Sequence, residues 1–565
     1  KSLISLTERN KNRQRKKSKR QIPRFSARYR NMSSPSERSV TLEEVQKHST
    51  PDDAWVIIDN KVYDVTKFAK MHPGGTKVLL AFAGKDASTD FQYFHSIRVM
   101  QKYHDKLFVG SLDKSQASKD DGEDFNIVKM IAGNKPNMYG EFVPYADPNW
   151  YQGWNSPYYD ESHIKFRNAI RPIVDKEIIP YVHQWEEQKE FPHELRQKLA
   201  ESGIYQSLLG GQWLTEYCGE TLPGGIRPEQ FNWFHHMIAV QELNRAGSVG
   251  FFWGLCEGLN IGLPPVIHFG SDYLRNKVVK DCLEAKKNIC LCITEPWAGS
   301  DVGNIQTTAQ LTPDGKFYIV NGIKKWITNG IWSDYFTTAV RTGEAGMKGV
   351  SLLLLEKGMP GITTRRMNCT GAWASGTTYI TLEDVKVPVE NMIGKEGHGF
   401  KYIMNNFNTE RFGFCLQSVA LARVCIEDSM KFVHKRKTFG KKLIQHPVIR
   451  NKLAQMVRQV EAVSAWVEST GFQMQNMSQK EKVRYLAGSI GLMKANSSMV
   501  LEYCAREAVQ IFGGLGYTRG GQGERVERIY RDVKAMAIPG GSEEILLDLG
   551  VKQAAKYYPK SAKLQ

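Results

Sequence analysis

Two groups of side chains in this sequence combine residue types that chemistry uses. The first is His72-Pro73-Gly74-Gly75 with a second histidine, His95, 23 residues on, and Phe68, Leu79, Leu80, Phe82, Phe91 and Phe94 around them. Two imidazoles can hold one iron axially. Proline fixes φ and glycine permits positive φ, so the backbone can bend sharply beside a flat ligand with no side chain intruding. The other reading is two unrelated histidines in a loop-rich region. The HPGG turn, Ala83-Gly84-Lys85-Asp86 and the spacing favour the pair, while His104 reads as a surface histidine.

The second group is spread along the chain. Leu291 to Asp301, reading L-C-I-T-E-P-W-A-G-S-D, is a strand running into a Gly/Ser/Asp loop. Such a loop offers backbone N–H groups and hydroxyls to an anionic or carbonyl-rich ligand, although taken alone it is an ordinary turn. A second strand ends Lys325-Trp326-Ile327-Thr328-Asn329-Gly330, and period-2 alternation predicts Trp326 and Thr328 on one face. An aromatic plane beside a hydroxyl suits a flat heterocycle; cross-strand packing is the commoner use of such a pair. Phe400, Ile403, Met404, Phe407 and Phe414 mark the apolar stripe of a helix from His398 to about Arg436, and Glu410 and Arg411 fill the gap in it. A carboxylate on a buried face is costly unless it is paired or used. Glu410 is therefore either half of a buried Glu410–Arg411 salt bridge or a working acid–base group.

The elements that must position these groups follow from composition and period. The 565 residues, 41% hydrophobic and 24% charged, predict about three or four packed units and exclude a disordered or fibrous chain. Net charge is +17, but residues 1–31 hold twelve Lys and Arg against Glu8 alone, leaving +6 for the rest. A mildly basic body with one basic tail fits a modest anionic ligand and argues against a nucleic-acid face. Nine cysteines, none in C-x-x-C, imply neither a disulfide framework nor a zinc ribbon and fit a reducing compartment. The most apolar stretch, Phe251 to Phe269, is broken by Glu257, Asn260 and Pro264-Pro265, so no membrane span is expected and the protein reads as soluble.

Residues 1–40 are Lys/Arg- and Ser-rich and nearly acid-free. A mitochondrial transit peptide, a disordered basic arm and sequence upstream of a start at Met32 fit this equally. Residues 41–112 alternate strand-like pieces, Trp55 to Ile58 and Lys61 to Val65, with polar turns, the pattern of a small separate domain. A linker covers 113–154. Residues 155–290 are helical by period (Ile164, Ala169, Ile170, Ile173, Val174, Ile178), 291–396 are strands, 397–552 are long helices and 553–565 form a tail. Helix, sheet and helix within one body predict a sheet inserted between two halves of a bundle.

Residues 41–112 resemble the cytochrome b5 family, on Trp55, Tyr63-Asp64-Val65-Thr66-Lys67-Phe68, His72-Pro73-Gly74-Gly75 and His95. The resemblance implies a small α+β domain that binds haem b, with His72 and His95 as axial ligands. With both axial positions filled, such an iron transfers single electrons.

Residues 155–552 resemble the acyl-CoA dehydrogenase family through six motifs in order. These are T-E-P-x-A-G-S-D from Thr294, W-I-T-N-G from Trp326, Glu410-Arg411, R-K-T-F-G from Arg436, Q-I-F-G-G from Gln510 and V-E-R-I-Y-R-D from Val526. No G-x-G-x-x-G follows a strand, so a Rossmann site is not expected. The resemblance implies an α-helical domain, a middle β-domain and a C-terminal four-helix bundle, with FAD between the last two. Leu291, Ile293, Thr294 and Ser300 are implied near the isoalloxazine, Trp326 and Thr328 flank its ring and N5, and Ser542 and Glu544 join the cofactor contacts. Pyrophosphate and adenine fall to Arg436, Thr438, Phe439, Gln510 and Gly514 of a neighbouring subunit, which implies a homodimer or homotetramer. Pro447, where Gln often follows His446, departs from the pattern at the outer FAD site.

Most members carry the catalytic glutamate in a terminal Y-E-G-T-S-E, where this chain reads Pro539-Gly540-Gly541-Ser542-Glu543-Glu544 and has Gly540 at that position. A minority place it on the helix before R-K-T-F-G, next to an arginine, and Glu410-Arg411 occupies that place. The resemblance thus assigns the base to Glu410, with Glu543 or Glu544 as the rival. It implies that Ser300, Asn408, Arg411, Gly540 and Gly541 contact substrate. The expected reaction is α,β-dehydrogenation of an acyl-CoA to a trans-2-enoyl-CoA, of the fatty acid β-oxidation type. The haem domain or an external electron-transferring flavoprotein would take the electrons. An acyl-CoA oxidase, a flavin monooxygenase of the same fold and a non-catalytic flavin/haem carrier are the alternatives. Mitochondrial matrix and peroxisome both fit; Ala562-Lys563-Leu564 resembles a peroxisomal tripeptide but is followed by Gln565.

Overall fold

The computed structural model describes residues 38–88, 91, 95, 97–113 and 138–558. Most of the basic segment, most of the linker, Phe94 and the tripeptide at 562–564 lie outside the described residues. By contact the chain divides into two units, 1–87 with 106–118 and 88–105 with 119–565.

The first unit is a small sheet of β1 (Ser39–Val40), β2 (Ser49–Thr50), β3 (Asp53–Ile58), β4 (Lys61–Asp64), β5 (Lys85–Asp86) and β6 (Phe108–Leu112). The order is β1-β6-β4-β3-β2, with β5 on β3. Five of the six β3 residues are buried, as a continuous apolar run requires. The β3–β4 turn is Asp59-Asn60 with φ of 50° and 58°, the two left-handed residues that a tight hairpin needs and that Asp and Asn tolerate. Helix α1 (Leu42–Lys47) starts at Thr41, whose Oγ1 accepts from the Glu44 N–H at 3.2 Å. Val40, Val45, Trp55, Ile57, Val62 and Leu112 make the core.

The second unit repeats the helix, sheet, helix order. Helix α2 (Glu161–Ile173) is capped by Asp160, and α3 (Trp233–Asn244) by Asn232. Nearly every residue of α3 and all of α4 (Val249–Glu257) are buried, which places them inside the core with no solvent face. The sheet comprises β7 (Ile289–Cys292), β8 (Thr308–Leu311), β9 (Phe317–Ile327), β10 (Tyr335–Arg341), β11 (Val350–Glu356), β12 (Ile362–Arg366) and β13 (Thr378–Pro388). Its order is β11-β10-β8-β9-β13-β12, with β7 pairing to β10.

Long helices follow: α5 (Gly399–Lys435), α6 (Pro447–Asn476), α7 (Ala487–Phe512), α8 (Glu524–Ala537) and α9 (Glu543–Ala555). One large core joins α2, α3 and α4 to the C-terminal helices and part of the sheet. A smaller one, with Val320, Leu353 and Val385, lies within the sheet. All nine cysteines are free. Among the described residues no helix is long and apolar enough to cross a membrane.

Candidate active site

Glu410 lies on α5, and its Oε2 is shut off from solvent with no hydrogen-bond partner among the described residues. It lines a small cavity with Leu208, Leu209, His236, Glu257, Asn260, Thr409, Gly413 and Gln417. Leu209 and Thr409 also line a larger cleft of about 510 Å3. Burial pushes the Glu410 carboxyl up to about 7, and the opposing pull of Arg411 and Lys494 does not cancel it. The salt bridge that the sequence left open does not form. Arg411 instead donates from Nε to the Gly540 carbonyl at 2.7 Å, with its guanidinium 5.1 Å from the Phe407 ring. A carboxyl poised near neutrality without a partner can take up a proton where one is presented.

The Gly540 turn is held from two sides. Arg411 grips one carbonyl, and the fully buried Lys494 donates Nζ to Ala537 O at 2.8 Å and Gly541 O at 3.0 Å. Desolvation lowers Lys494 to about 8. Gly540 has φ of 69°, and a Cβ there would stand 3.1 Å from the Phe414 ring, so the turn needs glycine for both conformation and space. The rival bases are placed differently. Glu543 accepts from Ser498 Oγ at 2.6 Å, and Glu544 is exposed, its carboxyl lowered by its own backbone N–H and the Ser542 hydroxyl. Asn408 is buried and donates Nδ2 to Lys482 O at 3.4 Å.

A tryptophan connects the Glu410 helix to the sheet. Trp253 on α4 donates Nε1 to Gln417 Oε1 on α5 at 3.0 Å, and its carbonyl accepts from Asn329 Nδ2 at 3.3 Å. Asn329, with φ of 65°, belongs to the W-I-T-N-G segment. Trp253 thus links, through its backbone carbonyl and its indole, the loop carrying Thr328 to a position two turns along from Glu410. Trp253, Glu257 and Gln417 were missed by sequence reasoning. The signal was present, since Glu257 and Asn260 interrupt an apolar run, but there it served only to reject a membrane span.

The T-E-P loop is built on a buried ion pair. Lys324 Nζ reaches Glu295 Oε1 at 2.7 Å and Ile293 O at 3.0 Å, with both side chains fully buried. Thr307 N and Oγ1, Gln306 N and the Trp297 indole donate to the remaining carboxylate positions. That saturation is what makes a buried pair tolerable. The Lys325 N–H donates to Thr294 O at 2.9 Å, laying the loop against β9. Leu291 and Thr294 are half-buried, Ile293 buried and Ser300 exposed.

Strict alternation does not set Trp326 and Thr328. The β9–β13 register shifts between Ile327 and Lys324, Trp326 has φ of 58°, and Thr328 lies in the turn beyond the strand end. A bulge re-aims the indole, which is 48% exposed, with Lys325 Nζ 4.4 Å from its ring centroid. The hydroxyls of Thr294, Ser300 and Thr328 make no hydrogen bond among the described residues. Unspent hydroxyls beside an exposed aromatic plane fit the isoalloxazine that the motifs imply.

The residues that the resemblance implies for the outer cofactor site gather at one end of the bundle. Phe432 and Phe512 stack at 4.3 Å, bringing the Arg436 end of α5 to the Gln510–Gly514 end of α7. Phe439 is 95% exposed at φ of 49°, Gln510 and Gly514 are exposed, and Thr438 Oγ1 lies 3.3 Å from His446 Nε2.

In the first unit His72 follows a short 3-10 turn with its ring 6.0 Å edge-on from Phe68. A Cβ on Gly74 would stand 2.9 Å from His72 Cε1, so only glycine leaves room for the imidazole, and Gly75 has φ of 92°. Leu79, Leu80 and Phe82 are half-buried. An imidazole cleared of side chains beside partly covered apolar groups fits a haem edge. His95, in the second unit, is half-buried 4.9 Å from the Phe91 ring, and its N–H donates to Phe91 O at 2.8 Å. His104 is half-buried.

Comparison with known proteins gives four family matches. Residues 41–113 match the cytochrome b5-like heme/steroid binding domain. Residues 160–286, 290–385 and 397–555 match the N-terminal, middle and C-terminal domains of acyl-CoA dehydrogenase. The chain is 42% identical over 426 residues to the acyl-CoA dehydrogenase apdG of Emericella nidulans, covering 74% of this chain and 97% of that one. Among solved structures it is similar to butyryl-CoA dehydrogenase from Megasphaera elsdenii, with TM-score 0.63, 28% identity and 71% and 99% coverage. It is also similar to an acyl-CoA dehydrogenase complexed with FAD from Bacillus anthracis, with TM-score 0.63, 26% identity and 72% and 71% coverage.

Proposed function

Because the chain belongs to the acyl-CoA dehydrogenase family, with a cytochrome b5-like domain ahead of it, we propose that this FAD-dependent oxidoreductase converts an acyl-CoA thioester to its trans-2-enoyl-CoA with Glu410 as base. The observation that carries this reading is the shielded, unpartnered Oε2 of Glu410 in its cavity. FAD, when bound, supplies the acceptor for the β-hydride. Thr294, Ser300, Trp326, Thr328, Leu291 and Ile293 hold its ring system, with Ser542 and Glu544 nearby. The exposure of Phe439, Gln510 and Gly514 supports their serving, with Arg436 and Thr438, the cofactor of a neighbouring copy in a dimer or tetramer.

Glu410 removes the α-proton. Negative charge then develops on the thioester oxygen, and the Gly540 backbone N–H, fixed because Arg411 and Lys494 hold its turn, is the protein's donor to it. One such donor is worth ~3 to 4 kcal/mol, and a positioned base ~10² to 10⁴ in rate. Ser300, Asn408, Arg411 and Gly541 complete the substrate contacts. Leu208 and Leu209 add apolar lining beside the carboxyl.

In the cytochrome b5-like domain matched over residues 41–113, His72 and His95 are the residues that would hold a haem, which would supply one-electron exchange, and an electron-transferring flavoprotein is the external acceptor class. The corresponding compartments are those of fatty-acyl oxidation, the mitochondrial matrix or the peroxisome. The test is Glu410→Gln in the holoenzyme. FAD stays bound while bleaching of the flavin by acyl-CoA slows by ~10² to 10⁴; bleaching at the wild-type rate would overturn the assignment.

A further inference from the structure

The Glu410 cavity, of about 10 Å3, has room for one small group, and Glu257, Asn260, His236 and Gln417 give it polar lining where an alkyl chain would call for apolar lining. Glu257, at the last turn of α4, is 5% exposed and pairs with no basic residue among the described residues. Gln417 spends its carbonyl on the Trp253 indole, which turns its amide nitrogen toward Glu257. Burial, reinforced by Glu410, pushes the Glu257 carboxyl up to about 8, so it keeps its proton at neutral pH and can donate it. Two acceptors belong to residues that line the same cavity. Asn260 Oδ1 is buried without a partner among the described residues, its amide nitrogen lying 3.5 Å from Cys256 Sγ. His236 has Nδ1 3.0 Å from Ser207 O and is lowered to about 4, which leaves Nε2 unprotonated and accepting.

A buried amide oxygen without a donor costs free energy that a matching ligand recovers. A hydroxyl is the group that accepts from one neighbour and donates to another, whereas a ketone only accepts and a methylene does neither. We infer that Glu257, Asn260 and His236 form a recognition site for a hydroxyl group on the acyl chain, making hydroxylated acyl-CoA thioesters the preferred substrate class over plain aliphatic ones. The inference rests on the dehydrogenation reading of the Glu410 cavity and names the substrate class of that site.

The test compares flavin bleaching of the holoenzyme by hexanoyl-CoA with that by its 4-, 5- and 6-hydroxy derivatives. At least one hydroxylated isomer is expected to exceed hexanoyl-CoA in kcat/KM by about tenfold or more. Glu257→Leu and Asn260→Leu should erase or invert that ratio while retaining FAD, and Glu257→Gln, which keeps a donor, should preserve most of it. Hexanoyl-CoA outperforming every hydroxylated isomer, or a preference untouched by Glu257→Leu in protein that retains its flavin, would overturn the inference and leave Glu410 in place. Bleaching by no thioester at all would overturn the dehydrogenation reading and this inference together.

Discussion

His72 and Glu410 are prepared for their ligands in opposite ways. The histidine owes its place to its immediate neighbours: Pro73 sets the turn, Gly74 clears space for the imidazole and Gly75 supplies the positive φ. The glutamate owes its state to one neighbour on its own helix, Gln417, and to groups far away in sequence. Leu208, Glu257, Gln417, Lys494 and Gly540 come from five segments to shut off one carboxylate oxygen and fix the turn beside it. A ligand-holding imidazole tolerates solvent, whereas a base poised near neutrality needs desolvation, which a short peptide cannot provide.

That contrast gives separable expectations, of which the largest is a double dissociation. His72→Ala should abolish the haem Soret band and leave flavin bleaching within about twofold, because the base owes nothing to the HPGG turn. Glu410→Gln should do the reverse, slowing bleaching by ~10² to 10⁴ with the Soret band intact. Loss of both signals in either variant would break the comparison.

Gly540→Ala comes next. Its Cβ would meet Phe414 at 3.1 Å at a φ that alanine rarely adopts, so the N–H should move off the thioester oxygen. A fall of ~10² in the bleaching rate with little change in FAD retention is expected, measured by stopped flow. An unchanged rate would remove Gly540 from the site. Lys494→Met should lower kcat by about tenfold through the same turn, leaving KM nearly constant if the lysine acts only by holding it.

The smallest effect is a pH limb. The ionised carboxylate is the competent form and burial raises its pKa to about 7, so the bleaching rate should rise with pH through about 7 and fall below it. An ordinary exposed carboxylate would give a flat profile from about pH 6 upward.

Much of the architecture was legible because period and punctuation are local. The expected helix from His398 to about Arg436 is α5, Gly399–Lys435, and the stretch 291–396, expected as strands, carries β8 to β13. Where alternation failed, at Trp326, a bulge re-aimed the chain, and only pairing with β13 reveals it. That the Glu410 carboxylate is shielded was legible from the stripe it interrupts. The behaviour of Arg411 was not, since its neighbour in sequence offered a carboxylate and the fold offered the Gly540 carbonyl 129 residues away.

The sequence by itself determined the order of elements, both sets of ligand-bearing motifs and the place of Glu410 in the apolar stripe of its helix, since each is written in residue type and short-range spacing. Tertiary structure alone decided that Arg411 grips a turn and leaves Glu410 unpaired, that burial outweighs two nearby cations, and that a second buried carboxyl, Glu257, raised to about 8, lines the same cavity. Desolvation depends on every atom packed around a group, and those atoms are supplied by segments whose meeting no local pattern records.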